Sequence, residues 1–284
     1  MGTERYNLNN LTQVKIDEVS LESVMSDLES AIRHGVTVIH DNSPPQGRSD
    51  KHDSLYTGDS GIGLMFIRLS QGNGVEWNKC ARTYLPKLHV HHPRAGRLSS
   101  LDSAVGPAVA YVLIALGSPS ESVVGCEECR RDWDAAIRTI RNVVNVAIND
   151  KNLGGDEVLY GKTGLLWAML NFHYLSGKFQ DRTGERTAGD RNKYTSIQEI
   201  QEIPGTAEIN SVYKAVLRSG AIEAQDFKER HESAKELALP LMWSWHGKYY
   251  LGAWNIDCPP SSALGTWSFL TLNSSFPVSQ LYAF

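Results

Sequence analysis

The strongest constraint in this sequence is a unit that recurs along it, a glycine turn followed at once by a helix of apolar residues. In the clearest copy Gly161 and Gly164 form the turn, and every residue from Leu165 to Leu170 is apolar. Glycine has no Cβ, so another stretch of backbone can pass close to such a turn. A helix that is apolar on all sides is buried on all sides. The unit therefore predicts interior helices, each entered through a tight turn.

Four such turns occur along the chain at intervals of about 50 residues, and the last interval is longer. The glycines of these turns are Gly58, Gly61, Gly106, Gly161, Gly164 and Gly252. Repeats of this period form stacked or ringed units of supersecondary structure. Strand patterns are nearly absent. We therefore predict an all-α fold of helical hairpins, and the wholly apolar helices favour a closed ring over an open solenoid.

The segments between the turns predict outer helices, because their apolar residues recur at helical spacing on one side. These segments are Leu21–Ile32, Trp77–Leu88, Trp133–Ala147, Ile209–Val216 and Phe227–Met242. The charged, proline-containing stretch His34–Tyr56 predicts a loop. Residues 1–18 predict a polar N-terminal segment, and the polar residues from 176 to 207 predict an exposed insertion.

Composition and charge exclude several classes of protein. The chain has 284 residues, of which 41% are hydrophobic, and this suits one large domain or two ordinary ones. A net charge of −4 gives no basic footprint for nucleic acid. Four cysteines are too few for a disulfide scaffold and indicate a reducing, intracellular setting. The polar N-terminus is no secretory signal, and no apolar run reaches the ~18 residues of a membrane span.

Four motifs, taken in order, resemble those of the eukaryotic lanthionine synthetase C-like (LanC-like) proteins. The most specific is Glu157-x-Leu-Tyr-Gly-x-x-Gly164 followed by an apolar helix. The others are Gly58-x-x-Gly61, Asp102-x-x-x-Gly106-Pro107-Ala108 and Trp245-His-Gly-Lys-x-Tyr-Leu-Gly-Ala253. The stretch Arg94–Ser103 is similar to the fungal branch. The resemblance covers the chain from about residue 20 to residue 253.

The resemblance implies an α/α toroid of seven inner and seven outer helices, of which about four hairpins are present here. It implies a zinc ion, held by two cysteines and one histidine, that activates a thiol for addition to a dehydroamino acid in a peptide or protein. It also implies a His-Gly histidine that transfers a proton to the enolate formed. Glutathione is the implied co-substrate. Asp156 and Tyr160 are the residues that the resemblance places in the lining of the cavity.

The sequence departs from the family's pattern after Ala253. We therefore predict a partial toroid over residues 19–253 and an off-family tail over residues 254–284. No Cys-His pair occurs in the sequence, and the family's His-Gly does not follow the fourth turn. We expect no intact catalytic residue and no zinc ligand set, and hence a chain that is inactive as it stands. An incomplete ring predicts self-association. The expected location is the cytoplasm, with peripheral contact at the plasma membrane.

Other residues that could bind a metal or act in catalysis have simpler interpretations. The pair Cys126–Cys129 has the spacing of metal ligands, but a zinc site of this kind needs a second pair. The cluster His89–His92 precedes a proline and is expected to face water. His246 and Gly247 lie before the fourth turn, so we interpret His246 as a hydrogen-bonded loop residue and not as the proton-transfer histidine.

Two alternatives remain open for the function. One is a non-catalytic partial toroid that acts as a binding or regulatory protein, or a defective gene product. The other is a six-hairpin glycosidase-like protein, which needs two carboxylates beside the scissile bond. The turns offer only Asp59 and the Asp156–Glu157 pair, and the positive N-terminal end of a helix already explains such acids. Asp102 is expected to cap the inner helix that begins near Gly106.

We predict that residues 254–284 arise from a reading-frame error, a retained intron or a truncation. If Ala253 is encoded GCA, the codons GCA-TGG-AAY contain CAT-GGA in the neighbouring frame, which spells the His-Gly of the family. Sequencing of the transcript and of the genomic DNA after codon 253 tests this. A transcript that reads through 254–284 in frame, with no shifted frame that restores the later motifs, would contradict it.

Overall fold

The computed structural model describes residues 18–45, 53–70, 75–94, 96–117, 127–149, 156–184, 201–236, 239–245 and 247–250. These residues fall into two units, one within Met1–Gln46 and the other within Gly47–Phe284. The described ranges contain seven α-helices, a short 3₁₀-helix and one short β-hairpin that follows them in the chain. The predicted all-α class is therefore confirmed. No helix in this part of the chain is both long and apolar enough to cross a bilayer.

In its described residues the first unit contains one helix, α1 (Glu18–Asn42). Five of its apolar side chains lie along one stripe and are about half exposed. They are Leu21, Val24, Met25, Leu28 and Ile32. The predicted loop His34–Tyr56 is wrong in its first part, because the helix continues to Asn42. The nearest prolines are Pro44 and Pro45, and a helix ends before a proline. The prolines therefore set the end of the helix, and the charged residues before them do not.

The second unit contains three helical hairpins among its described residues. Its helices are α2 (Asp59–Ser70), α3 (Val75–Thr83), α4 (Gly106–Gly117), α5 (Glu127–Asn149), α6 (Lys162–Gly184) and α7 (Thr206–Arg230). Helix α4 packs between α2 and α6, which makes these three an inner row. Helices α3, α5 and α7 each pack on the inner helix of their own hairpin, and α5 also contacts α7. Inner and outer helices therefore alternate along the chain.

Burial follows the sequence patterns of the inner and outer helices. In α4 every residue from Gly106 to Leu116 is buried. In α5 only one side is buried. Trp133 and Ile140 are both 0% exposed, whereas Arg138 and Arg141 face solvent. Removal of apolar surface from water contributes roughly 25 cal/mol per Å², so the contact of α4 with its neighbours is a main source of stability.

Two predicted outer helices end at other residues than expected. Helix α3 stops at Thr83, so the predicted helix Trp77–Leu88 is too long, and Pro86 explains why it cannot continue. The predicted helix Phe227–Met242 is wrong. Its first residues belong to the last turn of α7, and a short 3₁₀-helix, Glu232–Ala234, follows.

The β-hairpin was not anticipated from the sequence. Its strands β1 (Trp243–Trp245) and β2 (Lys248–Tyr250) pair antiparallel, and Gly247 has a φ of 74° at the turn between them. A positive φ is a conformation that glycine adopts without steric cost. The indole of Trp243 lies over Gly220 of α7, at 2.8 Å from the position that a Cβ would take there. The hairpin is therefore held against the outer row.

Both ends of the predicted insertion, residues 176–207, belong to the packed unit. Helix α6 continues to Gly184, and Ile203 is 8% exposed. The carboxylate of Glu202 accepts a hydrogen bond of 3.0 Å from the indole of Trp133 in α5. Polar composition alone did not reveal these contacts, because a helix can carry polar residues on its outer side.

The turns before α2, α4 and α6 lie side by side at one end of the inner row. We call residues 53–61, 96–106 and 156–164 the turn layer. Backbone hydrogen bonds join its three turns. Tyr56 N donates to Leu101 O at 2.8 Å, and Leu98 N donates to Tyr160 O at 2.8 Å. The turn layer thus fixes how the three inner helices start relative to one another.

Two glycines of the turn layer lie where no side chain fits. A Cβ on Gly164 would lie 1.9 Å from Ser99 Oγ and 2.1 Å from Val158 O. A Cβ on Gly61 would lie 2.2 Å from Leu55 O. Two of these three neighbours are backbone atoms, which cannot move aside without breaking the layer. The absence of a side chain is therefore a geometric requirement at both positions.

We expect Gly164→Ala to lower the free energy of unfolding by about 1–3 kcal/mol, because the new methyl group overlaps a backbone carbonyl. Gly177→Ala is the matched control, since it lies on the same helix with nothing within 4 Å of its Cβ position. That change should raise the free energy by about 0.5–1 kcal/mol, because alanine favours a helix over glycine. Urea unfolding followed by circular dichroism measures both. Equal effects of the two substitutions would contradict the close approach.

Candidate functional site

Carboxylates collect in the turn layer at the N-terminal ends of the inner helices. They belong to Asp53, Asp59, Asp102, Asp156 and Glu157. A helix N-terminus carries a partial positive charge and unpaired N–H groups, and both favour an acid there. What each acid can do chemically depends on its partners and on its access to solvent.

Asp156 forms a buried ion pair with Lys162. Lys162 Nζ lies 2.7 Å from Asp156 Oδ1, and the two side chains are 2% and 0% exposed, respectively. The same Nζ donates to Ser219 Oγ of α7 at 3.4 Å. The pair thus ties the third turn to the outer row. Lys162 was not predicted as the partner of Asp156, because nothing in the spacing of the two residues indicates contact.

Asp53 and Glu157 hold the backbone of their own turns. Asp53 accepts hydrogen bonds from the Ser60 amide at 3.1 Å and from the Ser60 hydroxyl at 2.6 Å. Burial raises the pKa of the Asp53 carboxyl, and the bonds from Ser60 partly offset that rise. The two oxygens of Glu157 accept from the amides of Leu159 and Tyr160. The carboxylates of both acids accept hydrogen bonds from their own turns. This arrangement does not support the pair of facing carboxylates that a glycosidase needs.

Arg97 and Tyr160 form one accessible polar pair of the turn layer. The guanidinium carbon of Arg97 lies 4.1 Å from the centre of the Tyr160 ring. Such a cation–π contact orients an arginine over an aromatic face. Arg97 Nη1 also lies 3.6 Å from Asp102 Oδ2, and the Arg97 side chain is 57% exposed. The carboxylate of Asp102, expected to cap a helix, thus faces an arginine.

The glycines named from the sequence are placed together, with one exception. Five of them lie in the turn layer, namely Gly58, Gly61, Gly106, Gly161 and Gly164. Gly252 lies outside the described residues. Asp156 and Tyr160, expected to line a cavity, lie in the same turn but differ in access. The carboxylate of Asp156 is fully buried, whereas Tyr160 is partly exposed.

None of the cysteines and histidines described in the second unit belongs to the turn layer. Cys80 is a half-buried free thiol. Cys129 is in a disulfide bond, and Cys126, like His246, is outside the described residues. The residues His89, His91 and His92 are exposed. In the ranges that the structure covers, no three His, Cys, Asp or Glu side chains are grouped so as to hold a metal ion.

We expect Lys162→Met to lower the free energy of unfolding by about 3–5 kcal/mol, because it leaves the Asp156 carboxylate buried without its counter-ion. The double variant Lys162→Met/Asp156→Leu removes both charges and should recover most of that loss. Thermal and urea unfolding of the three proteins measures this.

The control is Lys235→Met. Lys235 pairs with Glu232 at 2.6 Å, but the two side chains are 54% and 86% exposed. Exposed ion pairs contribute about 0–1 kcal/mol, so this change should have little effect. If Lys162→Met were as mild as Lys235→Met, the buried pair would not be important for the fold.

Comparison with known protein families gives a match over most of the chain. The model of the family described as "Lanthionine synthetase C-like protein" matches residues 49–253. The matched range holds the three helical hairpins, the turn layer and the β-hairpin, and it is more than half of the chain. The predicted resemblance is therefore confirmed at the level of the family. The chain belongs to the lanthionine synthetase C-like protein family.

Proposed function

We propose that this protein binds a peptide or protein substrate, and that its own residues do not complete the family's addition of a thiol to a dehydroamino acid. One observation carries the proposal. The chain matches the family over residues 49–253, yet its sequence contains no Cys-His pair. On this proposal the family's scaffold holds a substrate, while the sequence lacks the Cys-His motif expected to help activate the thiol of glutathione or of a peptide cysteine.

The zinc ion that the resemblance implies does not fit the described residues. Its expected ligands are two cysteines and one histidine, and no suitable group of side chains occurs in those ranges. Of the two cysteines described, Cys80 lies on α3 and Cys129 is in a disulfide bond. Zinc binds a thiolate, which a disulfide cannot provide. No step of the proposal therefore uses a metal ion.

Arg97 and Tyr160 are the residues that we assign to substrate binding. The ring of Tyr160 supports the guanidinium, so the arginine loses little conformational freedom when it binds an anion. Its contact with Asp102 is long, at 3.6 Å, which leaves N–H groups of the planar fork for a carboxylate. Glutathione and acidic peptides both carry such carboxylates. Asp156 is assigned a supporting role, because its carboxylate is buried against Lys162.

The first test concerns catalysis. We expect the protein purified from zinc-containing buffer to hold much less than one zinc ion per chain, and to form no glutathione adduct with a dehydroalanine peptide. Metal analysis and mass spectrometry of the peptide are the measurements. Stoichiometric zinc together with adduct formation would refute the proposal that the chain is inactive.

The second test concerns binding. Titration calorimetry should detect binding of the dehydroalanine peptide or of glutathione, and Arg97→Gln should weaken it about tenfold, as expected for loss of a charge-assisted hydrogen bond. Arg94→Gln is the control, because Arg94 is an exposed arginine of the same turn. If both variants weakened ligand binding equally, Arg97 would contribute only through its positive charge and not through a specific contact. Absence of any binding would refute a substrate-holding function.

A further inference from the structure

A concave site lies between described helices of the second unit, outside the turn layer. It is a cleft of about 370 Å³ between the end of α3, the inner helix α4 and the first turns of α5. None of its lining residues belongs to the turn layer. Small-molecule sites usually occupy roughly 300–1,000 Å³, so the cleft has the size for a small ligand.

One side of the cleft is apolar. Leu85 and Pro86 line it from the segment after α3, and Ile114 and Ala115 line it from α4. Tyr111 adds its ring, and its hydroxyl donates to the backbone oxygen of Cys129 at 3.0 Å. The phenol is therefore satisfied, and the wall that remains offers contact surface for an aliphatic group.

The other lining residues carry balanced charges. Arg82 and Lys87 are cationic, and Glu128 and Asp132 are anionic. Lys87 Nζ lies 2.9 Å from Glu128 Oε1. Asp132 Oδ1 accepts a hydrogen bond of 3.2 Å from the amide of Leu88, and burial raises the pKa of the Asp132 carboxyl. Charges of both signs thus stand beside an apolar wall.

We propose that this cleft binds a free amino acid with an aliphatic side chain. Its ammonium group would bind the Asp132 carboxylate, its carboxylate would bind the cationic groups of Arg82 and Lys87, and its side chain would lie on the apolar wall. A zwitterion is the matching class because it adds no net charge to a site with two cationic and two anionic side chains. A purely apolar ligand would use only the wall, and a simple anion or cation would contact charged groups of only one sign. This inference is independent of the function proposed for the turn layer.

The probe is L-leucine, titrated calorimetrically into the whole protein. Leucinamide lacks the carboxylate and 4-methylpentanoate lacks the ammonium group, while both keep the aliphatic chain. We expect saturable binding of leucine, and binding at least about tenfold weaker for each analogue, because each loses one charged contact. Absence of saturable leucine binding overturns the proposal, and so does equal binding of leucine and either analogue.

Asp132→Asn tests the assigned contact. Asparagine keeps an oxygen that can accept from the Leu88 amide, so the fold is expected to persist, and circular dichroism checks this. Leucine binding should weaken about tenfold, whereas the weak binding of 4-methylpentanoate should not change. Asp134→Asn is the matched control, since Asp134 lies on the same helix, pairs with Arg130 at 3.1 Å and does not line the cleft. Leucine binding unchanged by Asp132→Asn, or weakened equally by Asp134→Asn, overturns the assignment.

Discussion

The close approach of three backbone turns is the constraint on which the second unit depends. Gly164 lies so near to Val158 O and Ser99 that the smallest side chain would collide with them. The same closeness lets the amides of Leu98 and Ser99 reach the carbonyl of Tyr160. Because these hydrogen bonds join the starts of successive inner helices, they set the spacing of the inner row. The apolar packing of α4 between α2 and α6 then follows from that spacing.

The turn layer is rich in polar side chains, and most of their hydrogen bonds and ion pairs stabilise the turns themselves. Asp53 and Glu157 accept hydrogen bonds from their own turns, and Asp156 is neutralised by Lys162. A buried ion pair costs much desolvation and adds little net stability, but it strongly disfavours any arrangement that separates the charges. Lys162 also reaches Ser219, so the pair fixes α7 relative to the third turn. The ion pair therefore helps to hold together the turns and helices of the second unit.

The sequence was most informative where one physical effect dominates. Wholly apolar segments after glycine turns predicted the inner helices, because such helices can only be buried. Helix ends were less predictable. The stretch from His34 is helical up to Asn42, and the predicted helix Phe227–Met242 instead begins with the end of α7 and continues as a 3₁₀-helix. In these segments local preferences are weak and contacts with other elements decide the conformation.

The same division applies to the site. The sequence by itself determined the all-α class, the positions of the glycine turns and the family, because each follows from a pattern of residues that are close together in the sequence. Only the tertiary structure decided that Asp156 is buried against Lys162, that Arg97 lies on Tyr160, and that a cleft opens beside Asp132. These facts depend on which side chains meet across separate turns and helices. No periodicity in the sequence indicates such contacts, since they form only when the helices pack against one another.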